Sequence, residues 1–200
     1  MLLRSCDASS LVIDTLGDWA RGQNAVVACF YFDFAAQKER SPTSVMSSLL
    51  KQVVCGLEDI PAKIAQAFRD QKNVIGGRKL ELGKIVEVLQ DISSSRPTFI
   101  CIDALDECMP KYREKLLDSL RQILHKAPSA RIFVTGRLHI RDEVERHLAG
   151  TVAGVSVIPT KRDIVQFLRA KLKEDTTWDA MDMSLEEDII KTILETVSEM

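Results

Sequence analysis

The ten residues Phe99-Ile-Cys-Ile-Asp-Ala-Leu-Asp-Glu-Cys108 run from an apolar segment directly into three carboxylates. An apolar run that ends in an acid is typical of a strand buried on both faces of a parallel sheet. In open α/β sheets the ligand crevice lies at the carboxyl ends of the strands, and a hard cation prefers oxygen ligands there. The stretch therefore predicts that Asp103 lies at the mouth of a crevice, where it could bind Mg²⁺.

The same carboxylates also have a purely structural interpretation. Asp103 could cap the turn that follows its strand, while Asp106 and Glu107 could simply be solvated, because acidic clusters after apolar strands are common. A metal-dependent phosphatase or nuclease built on all three acids would need further carboxylates from other strand ends, and the other predicted strands end in residues without one. The spacing leaves the first two interpretations open and disfavours this third one.

Strand-like and helix-like segments alternate along the whole chain. Apolar runs predict strands at 25–34, 98–102, 130–134 and 155–158, and apolar stripes at helical spacing predict helices at 9–21, 42–56, 61–71, 81–92, 112–125, 141–148 and 161–173. Residues 93–97 are expected to break a helix, and Ser184 with Glu187 fits a capping box that opens a final helix. The alternation predicts an α/β domain of three layers with a mostly parallel sheet.

The composition bounds the class of protein. Among 200 residues, 27 basic and 29 acidic side chains are interspersed and form no basic stripe of the kind that duplex-binding proteins carry. The longest apolar run, Ala25 to Phe32, is far shorter than the roughly 20 residues that span a bilayer, and the first residues do not resemble a signal peptide. We therefore expect a cytoplasmic protein that binds neither nucleic acid nor membrane.

The cysteine and histidine content gives no sign of a zinc site. The five cysteines form no C-x-x-C pair, and the chain has only three histidines that could complete a zinc site. We expect reduced thiols, most of them buried. The sequence also lacks a G-x-S-x-G elbow, so acyl-transfer chemistry has no support.

Asp103-Ala-Leu-Asp-Glu-Cys108 closely resembles the extended Walker B element of NACHT domains, which are signalling P-loop NTPases of the STAND class. It especially resembles the NACHT domains of large fungal NLR-like proteins, which are also known as nephrocystin 3-like N-terminal domains. Residues 30–34 and 44–54 resemble the second strand of that family and the helix after it, and Arg131-Ile-Phe-Val-Thr-Gly-Arg137 resembles its sensor strand. The resemblance spans about residues 9–172, although only the Walker B and sensor strings are specific. It implies a P-loop NTPase-like fold.

The resemblance also implies a role for each polar residue at these strand ends. Asp103 would bind Mg²⁺, and Asp103 and Asp106 would contact the cofactor, which is Mg²⁺ with ATP or GTP in the family. Glu107 would act as the base for the attacking water, and Arg137 would sense the γ-phosphate. The family often has proline after this arginine, where the chain has Leu138. A surface arginine that pairs with a nearby carboxylate is the alternative interpretation of Arg137.

The sequence contains no Walker A loop of the form G-x-x-x-x-G-K-[ST]. Its one Gly-Lys pair, Gly83-Lys84, lacks the earlier glycine, is followed by Ile85 and lies in a helical pattern. The residues at 4–6, Arg-Ser-Cys, stand where the family would have Gly-Lys-Thr. We therefore expect a P-loop domain whose first strand and Walker A loop are missing, and which binds Mg²⁺-ATP very weakly and does not hydrolyse it alone.

Family topology would put the missing strand between the strands at 130–134 and 155–158. Its absence should leave a gap, which Met1 to Arg4 could partly fill, and should make the chain self-associate, because central strands of such sheets are covered on both sides.

Two interpretations from different classes remain for the whole chain. In both, residues 1–174 form a truncated NACHT domain, and residues 175–200 form an acidic linker and the start of a helical segment. The first interpretation is a nucleotide-binding signalling module of innate-immunity or heterokaryon-incompatibility type. Its relatives self-associate through their NACHT domains and carry effector domains and ankyrin or WD-type repeats. The second is a non-enzymatic interaction or scaffold remnant of such a domain.

Overall fold

The computed structural model describes residues 5–33, 41–57, 59–60, 62, 64–66, 69, 80–148, 152–157, 160–174 and 183–198. These residues fall into two compact units, one from Ser5 to Val152 and one from Ala153 onward. None of the helices in the described ranges is long and apolar enough to cross a membrane.

The first unit alternates helices with strands. In chain order it contains α1 (Ser5–Ala20), β1 (Val26–Tyr31), α2 (Pro42–Cys55), α3 (Leu82–Ser95), β2 (Thr98–Asp103), α4 (Pro110–Lys126), β3 (Ala130–Val134) and α5 (Arg141–His147). Short 3-10 turns, Leu105–Glu107 and Leu138–Ile140, follow β2 and β3. The described residues between 61 and 71 are helical as predicted, and the others in that range lie outside the described chain.

The three strands form one parallel sheet in the order β1-β2-β3. Val26 stands opposite Thr98, which in turn stands opposite Ala130, so that even-numbered residues of all three strands share one face. The α/β class with a parallel sheet is therefore confirmed. β2 and β3 pair in parallel, as the predicted P-loop NTPase-like topology requires. Antiparallel pairing of these two strands would have contradicted it.

The even-numbered face of the sheet packs against the main core. Val26, Ala28 and Phe30 of β1 belong to the same buried cluster as the apolar stripes of α2, α3 and α4. The stripe of α2 recurs at helical spacing, and the helix begins at Pro42 after a Ser41 hydroxyl that accepts a hydrogen bond from the Ser44 N–H. Each fully buried large side chain stabilises this packing by about 1.5–3 kcal/mol.

Helix α1 covers the opposite face in the described part of the first unit. Trp19 packs edge-on against Phe99 of β2, with ring centroids 5.3 Å apart. The cover is incomplete, because Trp19 and Tyr31 remain 48% and 41% exposed. Helices thus lie on both faces of the sheet, which confirms the three layers.

The two edges of the sheet differ. At the β1 edge, the Gln52 side chain of α2 satisfies both backbone groups of Cys29: the Cys29 N–H donates to Oε1 at 2.9 Å, and Nε2 donates to the Cys29 carbonyl at 2.7 Å. The amide acts as one residue of a neighbouring strand and caps this edge at Cys29. Strand β3, by contrast, pairs only with β2 among the described residues.

The strand predicted at 155–158 is wrong as far as the structure describes it. Residues 152–157 have no strand structure, and Val155 and Val157 are 86% and 84% exposed. A strand needs a neighbour for its backbone hydrogen bonds, and within the described chain no strand pairs with these residues. Met1 to Arg4, the candidate to fill part of a gap in the sheet, lie outside the described residues.

Some element boundaries also differ from prediction. Strand β1 ends at Tyr31, and α1 begins at Ser5, four residues before the predicted start. Helix α3 runs through the serines that were expected to break it, because the Ser94 and Ser95 hydroxyls bond carbonyls of their own helix. The helix stops at Arg96, whose backbone is extended as the residue before a proline prefers to be.

The described residues of the second unit include two helices, α6 (Lys161–Glu174) and α7 (Met183–Ser198). A capping box opens α6: the Thr160 hydroxyl accepts the Asp163 N–H, and the Asp163 carboxylate accepts the N–H and the hydroxyl of Thr160 at 2.9 and 2.7 Å. These hydrogen bonds lower the pKa of Asp163. The box predicted at Ser184 is wrong, because that serine is already the second residue of α7.

Candidate functional site

The residues predicted to form a site lie together at the carboxyl ends of β2 and β3. Asp103 is the last residue of β2, and Asp106 and Glu107 belong to the 3-10 turn that follows it. Arg137 follows β3. Because the two strands are parallel neighbours, their carboxyl ends meet at one edge of the sheet. The structure thus brings all the predicted site residues into one place.

Thr135, which follows β3, holds the carboxylate of Asp103. Its hydroxyl donates to Asp103 Oδ1 at 2.5 Å and accepts the Ala104 N–H at 3.0 Å. Its carbonyl accepts the Leu105 N–H at 2.9 Å. The sequence analysis did not single out Thr135, although a hydroxyl residue directly after an apolar strand was a usable signal. One residue of the neighbouring strand therefore fixes both the Asp103 side chain and the path of the chain after it.

The chain turns sharply at Ala104. This residue adopts the left-handed conformation, with φ 52° and ψ 47°, and is the one described non-glycine residue with positive φ. That conformation costs roughly 1–2 kcal/mol for a residue with a Cβ. The Thr135 hydrogen bonds and the fully buried side chain of Leu105 keep the chain in it. The turn directs the two following acids toward the loop after β3.

Arg137 pairs with both acids of the turn. Its Nε lies 3.3 Å from Asp106 Oδ2, its Nη2 lies 3.4 Å from Glu107 Oε1, and its backbone N–H donates to Asp106 Oδ1 at 3.3 Å. The acids are largely covered, whereas the Arg137 side chain is 75% exposed, so solvent screens these pairs. The structure therefore shows Arg137 paired with neighbouring carboxylates, as its alternative interpretation expected. Its role as a sensor of the γ-phosphate stays a prediction.

Gly136 packs against Ile140 of the turn that follows it. A Cβ at this position would lie 2.6 Å from Cδ1 of Ile140, so the end of that buried side chain would have to shift. The same Cβ would lie 3.5 Å from the backbone nitrogen of Asp106, which is an ordinary contact distance. The contact between Arg137 and the acids therefore does not itself depend on glycine at this position.

Asp103 ends its strand as predicted but is only 2% exposed, so its carboxylate is buried rather than open at the mouth of a crevice, and its Mg²⁺ role stays a prediction. The described residues contain no group of three or more His, Cys, Asp or Glu side chains that could enclose a metal ion. Mg²⁺ is usually held by one or two carboxylates together with waters and phosphates rather than by a protein cage. A strand-end carboxylate oriented by the Thr135 hydroxyl fits such a site. Asp106 and Glu107 face Arg137 instead.

The described thiols differ in burial. Cys29, Cys55, Cys101 and Cys108 are all free cysteines. Burial raises the pKa of both Cys101 and Cys108 to about 11, so each is a neutral thiol at physiological pH. Cys55 is exposed, and Cys29 is only partly buried. Two of the four described thiols, Cys101 and Cys108, are therefore buried as expected, and the other two are not.

Comparison with known proteins yields one family. The family described as nephrocystin 3, N-terminal, matches residues 8–137, a range that includes all three strands and the whole candidate site. None of the curated proteins matches the chain. Among solved structures, a Walker-type ATPase of Pyrococcus abyssi matches with 14% sequence identity and a TM-score of 0.46, over 96% of this chain and 63% of that one.

Proposed function

The chain belongs to the nephrocystin 3 N-terminal family, and from this we propose that it supplies the metal-binding and phosphate-sensing half of a nucleotide-dependent signalling module of the NACHT type. The observation that carries the proposal is the meeting of Asp103, Asp106, Glu107 and Arg137 at the carboxyl ends of two adjacent parallel strands. Ligands of open α/β sheets bind at this edge.

In this proposal Asp103 binds Mg²⁺, and the Thr135 hydroxyl orients its carboxylate. The cation would neutralise negative charge on the phosphates of bound ATP or GTP. A phosphate at this edge would compete with Asp106 and Glu107 for the guanidinium of Arg137, because carboxylates and phosphates both form strong hydrogen bonds with arginine. Movement of Arg137 toward the phosphate would release Glu107 to orient a water molecule. The Arg137 side chain is 75% exposed and can turn toward a phosphate, whereas Asp106 is only 6% exposed and would lose this charged partner.

The phosphate cradle is not encoded in these 200 residues, which contain no G-x-x-x-x-G-K-[ST]. The cradle usually supplies backbone N–H groups and a lysine, and each charge-assisted hydrogen bond is worth about 1.5–3 kcal/mol. Two or three such contacts amount to roughly 4–8 kcal/mol, which is on the order of a thousandfold or more in affinity. We therefore propose that the chain alone binds Mg²⁺-ATP very weakly and does not hydrolyse it.

Calorimetric titration with Mg²⁺-ATP and Mg²⁺-GTP tests this directly, with phosphate release assayed in parallel. We expect dissociation constants weaker than about 1 mM and no release above background. Micromolar binding that is lost in Asp103→Asn would mean that another segment of the chain forms a phosphate cradle, and the half-site proposal would then be wrong.

The metal-binding part can be tested without nucleotide. Mn²⁺, a paramagnetic substitute for Mg²⁺, can be titrated into the chain and followed by water-proton relaxation. We expect one weak saturable site that disappears in Asp103→Asn and persists in Asp14→Asn, a matched change on exposed α1. Equal Mn²⁺ binding by both variants would remove Asp103 from the proposal.

A non-enzymatic interaction domain is the second candidate function. Two features favour it: β3 has no second neighbour among the described residues, and the sequence lacks the cradle motif. It predicts that self-association of the chain does not change with Mg²⁺ or nucleotide. In either case we propose a cytoplasmic, NLR-like protein of innate-immunity or heterokaryon-incompatibility type that self-associates through this domain. Its partners would be flanking effector and ankyrin or WD-type repeat domains rather than nucleic acid or membrane.

A further inference from the structure

The turn that carries Asp106 and Glu107 is too short to fix its own position. It is a single 3-10 turn of three residues, closed by hydrogen bonds from the Glu107 N–H to the Ala104 carbonyl at 2.9 Å and from the Cys108 N–H to the Leu105 carbonyl at 3.0 Å. Isolated helical turns are marginal because their nucleation cost exceeds what one or two hydrogen bonds return. Contacts from outside the turn must therefore hold it.

Arg113, in the first turn of α4, makes such contacts with the backbone. Its Nη1 donates to the carbonyl of Cys108 at 3.0 Å and to that of Asp106 at 3.5 Å. The Arg113 side chain is only 8% exposed, so water competes little for these bonds. The guanidinium thus holds the chain on both sides of Glu107.

The other side of the same guanidinium is bound by Glu143 of α5. Its Nε and Nη2 lie 2.8 and 2.7 Å from Glu143 Oε2. Helix α5 directly follows the 3-10 turn after Arg137, so Arg113 connects the loop after β2 to the segment after β3. A planar group with five donors can serve both sets of acceptors at once, whereas a lysine ammonium of similar charge lacks this fork.

We infer that Arg113 is a positioning residue that fixes the carboxylate loop, residues 105–108, and so keeps Asp106 and Glu107 beside Arg137. Its importance for phosphate sensing rests on the proposed function, but its effect on the loop does not. Loss of the guanidinium leaves two backbone carbonyls and the Glu143 carboxylate without their donor. The loop should then open more often while the sheet stays closed.

Two buried cysteines report on the loop and the sheet within one molecule. Cys108 ends the loop and Cys101 lies inside β2, and both are almost fully buried. A neutral, buried thiol reacts with iodoacetamide only after local opening exposes it. Labelling rates measured for each cysteine by mass spectrometry therefore separate loop opening from opening of the sheet.

In Arg113→Ala we expect Cys108 to be labelled at least about tenfold faster, because hydrogen bonds to a charged group are lost, while Cys101 changes less than about twofold. Arg113→Lys keeps the charge opposite Glu143 and folds more readily, and we expect the same selective acceleration at a smaller size. Arg121→Ala removes an exposed arginine from the same helix and should change neither rate. Equal acceleration of both cysteines, or unchanged labelling of Cys108, would overturn the inference.

The Nε–Hε resonance of Arg137 in a ¹H–¹⁵N spectrum tests the second half of the inference. It should move in Arg113→Lys, because the acids no longer stay beside Arg137, and should remain in place in Arg121→Ala. An unmoved Arg137 resonance together with faster Cys108 labelling would show that Arg113 holds the loop but that the acids stay beside Arg137 without it, which contradicts the inference. Neither readout uses metal or nucleotide, so failure of nucleotide binding would count against the proposed function alone.

Discussion

At the end of β2, a threonine hydroxyl from the neighbouring strand decides where the Asp103 carboxylate points. We predict that Thr135→Val lowers the free energy of unfolding by about 1–3 kcal/mol, because it leaves a carboxylate oxygen and the Ala104 N–H without this partner. Urea unfolding measures the change. Thr15→Val is the control, since its hydroxyl bonds only a carbonyl of exposed α1, and it should stay within about 0.5 kcal/mol. An equal loss of unfolding free energy in Thr135→Val and Thr15→Val would mean that the Thr135 hydroxyl does not hold the carboxylate.

Ala104 provides a second test at the same scale. Glycine accepts positive φ without the penalty that a Cβ causes, although it loses more backbone entropy on folding. We predict that Ala104→Gly is neutral or stabilises the protein by up to about 1 kcal/mol. Ala130→Gly, in β3, should destabilise it by about that amount. Comparable destabilisation by both, in urea unfolding, would argue against a left-handed Ala104.

At the scale of the elements, the β1 edge depends on one side chain from α2. Gln52→Ala removes both hydrogen bonds to Cys29, and we predict a loss of about 1–3 kcal/mol in the free energy of unfolding. The uncovered edge should also aggregate faster, because unpaired strand edges pair with other chains. Lys51→Ala, an exposed neighbour on the same helix, is the control. Aggregation followed by light scattering at the same rate in both variants would contradict the role of Gln52.

Helix α6 should respond to acid through its capping box. The Thr160 hydrogen bonds lower the pKa of Asp163 in the folded chain, so the box contributes fully above the ordinary aspartate pKa of about 4. This contribution is lost as the pH falls through the lower, folded value. We predict that Thr160→Ala moves the Asp163 titration back toward the ordinary pKa in carboxyl-detected NMR. Superimposable titration curves for the variant and the native chain would refute the box.

At the scale of the whole molecule, the β1 edge is capped at Cys29, whereas β3 has one strand neighbour within the part of the chain that the structure describes. An edge of this kind favours association between chains. Trp19 and Tyr31 add partly exposed apolar surface on the α1 side of the sheet. We predict concentration-dependent self-association of the purified chain in sedimentation velocity. A monodisperse monomer at high concentration, with a sharp two-state melt, is the result that would count against this.

The amino-acid sequence by itself determined the α/β class, the parallel sheet and the candidate site. Those features depend on local patterns: apolar runs for β2 and β3, helical stripes for the helices, and the acids directly after Ile102. Because parallel neighbours end at one edge, the strand order that the family resemblance implied brings Asp103 and Arg137 to the same edge of the sheet.

Only the tertiary structure decided the features that join distant residues. Thr135 lies 31 residues from the Ala104 N–H that it accepts, and Gln52 lies 23 residues from Cys29. A local pattern can mark Thr135 as a hydroxyl residue after a strand, but it cannot identify the distant partner of either side chain. The apolar run at 155–158 predicted a strand because periodicity records side-chain character and not the presence of a neighbour. A strand exists only where another backbone satisfies its hydrogen bonds, and among the described residues none does so there.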